Sequence, residues 1–263
     1  MSERVAIILA AGISSRMNTN TPKVLHEVCG RPMLAYVLDA CREAGVGKMY
    51  VVVGFGAEQV KKKFDGDDDI VWVRQNEQRG TAHAVLCCKE HLNGFEGETL
   101  VLCGDGPLIR SDTLRTLIEK HEGSQSAATL ATAILDDPTG YGRVRRGADG
   151  NIEAIVEHND CTKEQLKIKE VNPSYYVFDN RILFEAAAKV EPNNVKKEYY
   201  LTDAISIIIA AGHKVAAVAA LRPEEAMSVN TKEHLDQINR IMQGRLLENV
   251  KRDVKIKAGE KCH

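Results

Sequence analysis

Three short apolar runs constrain this chain more than anything else in it: residues 5–11 (VAIILAA), 49–53 (MYVVV) and 99–103 (TLVLC). Each is far too short to span a membrane, and none alternates apolar with polar residues as a strand with one wet face would. They are expected to be strands buried on both faces. Between them lie stretches of helical spacing. Met33, Leu34, Val37, Leu38 and Cys41 recur on one helical face, and Gly45 and Gly47 stop that helix. Residues 57–64 and 81–92 read as further helices and 70–73 as a strand. Strands alternating with helices, with both strand faces apolar, imply an α/β fold: a mostly parallel sheet covered by helices. Ligands of such sheets bind outside the carboxyl ends of the strands. Three loops should therefore converge on one edge, residues 12–23, 75–81 and 104–107.

After residue 124 the rhythm changes. Residues 127–135, 142–145, 152–158 and 171–178 read as strands with little helix between them, which suggests an antiparallel extension carrying a second substrate. Helical periodicity returns at 181–190 and 201–211, with a late strand at 215–219. Residues 231–247 predict an amphipathic helix with Leu235, Ile238, Ile241, Met242 and Leu246 on one face. The lysines at 251, 255, 257 and 261 then read as a solvated basic tail. We expect one domain over residues 4–235, in two halves (4–123 and 124–230), followed by the terminal helix and tail (236–263). At 263 residues the chain can bury a sizeable core, and a formal net charge of −2 gives no push toward nucleic acid or an anionic membrane. The N-terminus has no signal-peptide pattern, and no apolar run approaches membrane length. Seven cysteines, an odd count without C-x-x-C spacing, point to free thiols in a reducing cytoplasm. The histidines show no metal-ligand spacing.

The chemistry should sit in the converging loops. Leu9, Ala10, Ala11 and Gly12 lead into a loop of small residues followed by two cations, Arg16 and Lys23. Oriented amides and fixed positive charge at a strand end can cradle a polyphosphate, and an ordinary strand-to-helix loop would have the same look. Asp105, in Gly104-Asp105-Gly106, is placed either to hold Mg²⁺, which prefers hard oxygen ligands, or simply to form a turn. Asn230 is a good helix cap by its position. In residues 75–81 (QNEQRGT), the Gln75 amide offers a donor and an acceptor, Gly80 permits close approach, and Thr81 can cap the next helix.

The string LAAGISSRM followed by PKVLHEVCGRPML (residues 22–34) resembles the uridylyltransferase domain of bacterial N-acetylglucosamine-1-phosphate uridylyltransferases. Other sugar nucleotidyltransferases share the glycine loop and the lysine; the Pro-Lys-Val-Leu-His run is the more selective signal. The resemblance implies a Rossmann-like, GT-A-like nucleotidyltransferase fold and synthesis of UDP-N-acetylglucosamine from UTP and N-acetylglucosamine 1-phosphate. It implies catalytic roles for Arg16 and Lys23, and nucleotide contacts from Leu9, Ala10, Ala11, Gly12, Lys23, Gln75, Gly80, Thr81, Cys103, Gly104 and Asp105. It places Mg²⁺ on Asp105 and Asn230. Through DPTGYGR (137–143), IVEH (155–158), Asn172 and EYYLTD (198–203), it puts Gly142, Glu157, Asn172, Tyr200 and Thr202 around the sugar.

Three departures stand out. Ser14-Ser15 replaces the usual Gly-Thr, Cys103 stands where Tyr is frequent, and Asn172 is followed by Pro173-Ser174 instead of Thr-Gly. Proline removes an amide donor, so another sugar 1-phosphate, or dTTP as donor, is the first alternative. A non-catalytic nucleotide-sugar sensor is the second, although Lys23, Asp105 and Asn230 are all retained. A dinucleotide oxidoreductase lacks its G-x-G-x-x-G after the first strand. No hexapeptide repeat is present, so no left-handed β-helix and no acetyltransferase activity are expected, and a monomer or dimer is more plausible than the family's trimer.

Overall fold

A computed structural model describes residues 3–12, 17 and 19–257. Seven strands form the main sheet: β1 (Arg4–Ala10), β4 (Lys48–Val53), β5 (Ile70–Arg74), β6 (Glu98–Cys103), β7 (Ala128–Ala131), β12 (Tyr176–Asp179) and β13 (Val215–Val218). Their order is β13-β7-β12-β6-β1-β4-β5, and β12 alone runs antiparallel to its neighbours. The apolar runs of the sequence form its centre, with β1 between β4 and β6 in register Leu9↔Val52 and Leu9↔Cys103.

The two-residue period of a strand then assigns every side chain to one of two cores. Val5 and Ile7 of β1, with Tyr50 and Val52 of β4, face α3 (Thr81–Leu86), α5 (Asn180–Ala187) and α6 (Leu201–Ala210). Ala6, Ile8 and Ala10, with Met49, Val51 and Val53, face α1 (Met33–Glu43), α2 (Ala57–Lys63) and α4 (Ser111–Ser124). Both faces are dry, which is why these strands read as continuous apolar runs. None of the described helices is long and apolar enough to cross a membrane.

The change of rhythm after residue 124 has a more particular origin than an added antiparallel layer. Residues 127–135 divide into β7 and β8 (Ala133–Ile134), and 171–178 divide into β11 (Glu170–Asn172) and β12. In each case the first and second pieces lie in different sheets. With β9 (Gly142–Arg146) and β10 (Ile152–Val156), β8 and β11 make a four-stranded antiparallel sheet of order β10-β9-β11-β8. The chain leaves the main sheet after Ala131 and returns through Pro173-Ser174, where Ser174 takes a φ of 68°. Pro173 cannot donate to a ladder, so the run that looks continuous must break there. Both crossings lie at the edge where β1 and β6 end, so the small sheet stands beside the converging loops.

Two other differences are local. The helix expected over 81–92 ends at Leu86, and i→i+3 bonds such as Cys88 N→Val85 O (2.9 Å) tighten the chain into a 3-10 turn at Glu90–Leu92. A hairpin not read from the sequence, β2 (Glu27–Val28) with β3 (Arg31–Pro32), turns through Cys29 and Gly30, both with positive φ. The Cys29 amide donates to Asn239 Oδ1 at 2.8 Å, which ties the hairpin to the terminal helix.

That helix, α7 (Lys232–Lys257), takes in most of the stretch expected to be a solvated tail. Its contact face is also shorter than the sequence pattern suggests. Ile238 and Met242 pack with Val28, Met33, Leu108 and Val229, whereas Leu246 is exposed. Ile238→Ala should therefore cost about 2–4 kcal/mol and Leu246→Ala no more than about 0.5 kcal/mol, compared by urea denaturation. Equal losses would contradict this packing.

Candidate active site

Lys23 opens a 3-10 turn, Lys23–Leu25, set by Pro22, whose carbonyl accepts from Leu25 N at 2.9 Å. Its ammonium donates to Asp105 Oδ2 and, at 2.9 Å, to Asn230 Oδ1. Three residues from distant parts of the sequence thus meet at one point. Asp105 is delivered by the end of β6, where Gly104 N donates to Leu9 O at 2.9 Å. A Cβ on Gly104 would stand 3.3 Å from both Leu9 O and Val24 Cγ1, so a larger residue would push the two loops apart. Asn230 is aligned by Val229 N, which donates to Asp105 O at 3.1 Å. It is not the cap of α7: Thr231 accepts from His234 N through its hydroxyl and from Leu235 N through its carbonyl. Arg16, the other expected catalytic cation, and Ser14-Ser15 lie outside the described residues, as does Cys262.

This point opens into a cleft of about 500 Å³. Leu9, Ala10, Ala11, Gly12, Cys103 and Asp105 line its floor. One end is formed by Gln75, Gly80 and Thr81. Gln75 is buried, and its amide nitrogen is engaged by Gly80 O at 3.2 Å and His83 Nδ1 at 3.0 Å, so the donor half of that amide serves the loop itself. Gly80 has φ 117°, and a Cβ there would lie 2.5 Å from Tyr199 O; only glycine fits. Thr81 does not cap its own helix α3. Its hydroxyl accepts from Leu201 N at 2.8 Å and so caps α6.

Glu157, Tyr200 and Thr202 line the cleft around the start of α6. Thr202 Oγ1 donates to Glu157 Oε1 at 3.1 Å. Gly142 lies beneath, where a Cβ would be 3.1 Å from Ile155 Cγ2 and 3.5 Å from Glu157 Oε1. It is paired with Asn172 across the β9–β11 ladder. Asn172 is buried and donates to Tyr176 OH at 2.6 Å, and Tyr176 takes the place on the cleft wall. Gly104, Gly142, Asn172 and Asn230 therefore stand behind the lining, and the other expected residues within the described part of the chain form it. Gln78, Tyr176, Lys196 and Glu198 line the cleft without having been singled out in the sequence, and Ser174, read there only as a departure, lines it too. Lys196 carried a signal in retrospect: it precedes EYYLTD in an asparagine- and lysine-rich turn whose next residue, Lys197, has φ 56°.

Residues 6–189 match the family described as MobA-like NTP transferase domain. The chain belongs to that family. It is 47% identical over 246 residues to the bifunctional protein GlmU of Geobacillus thermodenitrificans (strain NG80-2), which is 94% of this chain and 53% of that protein. It is 45% identical over 249 residues to the protein of the same name from Listeria innocua serovar 6a, 95% and 54% of the two chains. The chain thus spans about half the length of the curated relatives it matches. A UDP-glucose pyrophosphorylase solved with UDP-glucose superposes with a TM-score of 0.76 at 18% identity, over 93% of this chain and all of that one. The mostly parallel sheet with covering helices expected from the sequence is the fold of that neighbour.

Two hard oxygens, the Asp105 carboxylate and the Asn230 amide, are aimed at one cation, here the Lys23 ammonium. Among the described residues no group of three or more His, Cys, Asp or Glu could hold a metal. The pair suits a hard divalent ion that keeps the rest of its shell for water and phosphate. Burial pushes the Cys103 thiol up to about 12, so it is a neutral wall residue. Burial also raises the Glu157 carboxyl, a shift the Thr202 hydroxyl partly offsets. A folded-state pKa above the unfolded one means that stability is lost as pH rises through it. Glu157→Gln should therefore have a higher Tm than the parent at pH 7.5, with the difference vanishing as pH falls toward 4. A thermal melt series that shows no such convergence would contradict this environment for Glu157.

Proposed function

We propose that this chain transfers a uridylyl group from UTP to N-acetylglucosamine 1-phosphate, yielding UDP-N-acetylglucosamine and pyrophosphate. The observation that carries the reading is the convergence of Lys23, Asp105 and Asn230 at one point, the first two lining a cleft walled by both halves of the chain. The GlmU relatives and the Pro22–His26 motif support it. Residues 4–123 supply the nucleotide end, with Leu9 to Gly12, Gln75, Gly80, Thr81, Cys103 and Gly104 around the base, ribose and phosphates. Residues 124–230 supply the sugar end, where Glu157, Thr202, Tyr200, Asn172 and the Gly142 amide meet hydroxyls and the acetamido group. Buried hydroxyls demand such partners, because each one left unpaired is costly.

In the reaction a phosphate oxygen of the sugar 1-phosphate forms a bond to the α-phosphorus of UTP, and the bond to the bridging oxygen breaks to release pyrophosphate. The monoester dianion is already a nucleophile, so the protein's work is alignment and charge neutralisation. Lys23 and Arg16 supply fixed positive charge for the phosphates. Asp105 and Asn230 would hold Mg²⁺, which when bound withdraws charge from phosphate oxygens. The flexible stem of Lys23 would let its ammonium turn from these oxygens to a phosphate oxygen. UTP as donor and the unpaired thiols of the described cysteines favour a cytoplasmic setting.

A second reading changes only the sugar. Asn172 is occupied by Tyr176 and by Ser174 N at 3.4 Å, and Ser174 itself lines the cleft. This rebuilt corner favours asking which sugar 1-phosphate is preferred. Pyrophosphate release measured with UTP and a panel of sugar 1-phosphates, with Mg²⁺ and with EDTA, tests both. We expect metal-dependent release that is fastest with N-acetylglucosamine 1-phosphate. A faster rate with another sugar would assign the second reading, and no release with any pair would overturn both. Lys23→Ala should lower kcat by on the order of 10²-fold or more, the scale of a positioned electrostatic donor. Turnover near that of the parent would remove Lys23 from this role.

A further inference from the structure

Asp105 and Asn230 are far apart in sequence, so something must hold their segments in register. Glu225 is fully buried in the 3-10 turn Pro223–Ala226 and does not line the cleft. Its Oε1 accepts from Arg110 N at 3.0 Å and from Thr113 Oγ1 at 2.8 Å. Its Oε2 accepts from Arg222 N at 3.1 Å and Arg222 Nη1 at 3.2 Å. A carboxylate removed from water is tolerated only when its lone pairs are met in this way. The donors come from two places: residues 110–113 follow Asp105, and residues 222–225 precede Asn230.

These bonds close a ring. The chain runs from Asp105 to Arg110, crosses to Glu225 through Oε1, continues to Val229, and returns by Val229 N to Asp105 O at 3.1 Å. Tyr175 braces its interior. Its hydroxyl donates to Glu225 O at 3.4 Å and packs so closely on Gly106 that a Cβ there would lie 2.1 Å away. Asn230 leaves the ring directly after its closing bond. A loss at Glu225 should therefore change the spacing of Asp105 and Asn230 before it changes anything in the base or sugar ends.

We propose that Glu225 is a positioning residue for the metal pair, fixing the Asn230 oxygen opposite the Asp105 carboxylate so that both meet one cation. This rests on the reading that these two residues hold Mg²⁺. Outer partners that orient metal ligands commonly change ion affinity by about 10–100-fold when removed. In Glu225→Gln one acceptor becomes an NH₂ group facing an N–H or O–H donor, which loosens the ring while conserving volume.

The test uses the whole chain. Mn²⁺ is titrated in the presence of UTP and followed by water-proton relaxation enhancement. The Mg²⁺ concentration for half-maximal pyrophosphate release and the Tm are measured beside it. Glu225→Gln should raise the half-saturating concentration of both ions by roughly ten-fold, with the KM for UTP at saturating Mg²⁺ unchanged. Thr113→Val, which removes one donor, should shift it in the same direction by less, and it decides the matter if Glu225→Gln does not fold. A lower Tm with unmoved ion dependence would overturn the proposal and leave Glu225 a stabilising group only. Asp105→Asn and Asn230→Ala separate the two readings. If neither moves the ion dependence, the metal assignment falls and this proposal with it. If both do while Glu225→Gln and Thr113→Val do not, the positioning role alone falls.

Discussion

One cation held between two oxygens organises this molecule. The Lys23 ammonium, the Asp105 carboxylate and the Asn230 amide oxygen are largely withdrawn from water, the first two with side chains only 15% and 19% exposed. Charges so placed must be matched, since stranding one costs several kcal/mol. The match is made by backbone: β1 and β6 lie in parallel register, Gly104 closes on Leu9, and Val229 is bonded to Asp105. An arrangement of two oxygens around one movable cation is also what phosphate chemistry needs, because positive charge can be redistributed as substrates arrive without rebuilding the site.

Two parts of the cleft lining meet at a single helix start. Leu201 N at the beginning of α6 donates to Thr81 Oγ1 of the 75–81 loop, and the next residue, Thr202, donates to Glu157. The same stretch closes on Gly80, since Tyr199 N donates to Arg79 O and Tyr199 O accepts from Ala82 N, each at 2.8 Å. The residues of the 75–81 loop and those around Glu157 therefore share a rigid reference. Alignment of two reacting anions depends on rigidity of this kind.

Much of this was legible in the sequence, for identifiable reasons. Buried parallel strands write themselves as apolar runs, so β1, β4 and β6 and the loops after them stood out. Lys23, Asp105 and Gly80 carried motif signals, and the structure brings Lys23 and Asp105 into contact. What was hidden depends on tertiary partners. Breaks inside apolar stretches at Thr132 and Pro173-Ser174 reflect which sheet is nearest, and no local periodicity reports that. Thr81 and Asn230 both looked like caps of the helices that follow them. Thr81 caps a helix far along the chain, and Asn230 yields the cap to Thr231. Leu246 keeps the period of its helix but outlasts the surface beneath it. Lys196 and Tyr176 reach the cleft through turns whose course is set by positive φ at Lys197 and Ser174.

The most direct test of the central claim is a crystal structure with UDP-N-acetylglucosamine and Mn²⁺, read through the anomalous signal of the metal. We expect one ion bounded by Asp105, Asn230 and the phosphates, Lys23 turned to a phosphate oxygen, the uracil beside Gly80 and the sugar beside Glu157. An ion bound elsewhere, or a nucleotide sugar lying outside this cleft, would contradict it.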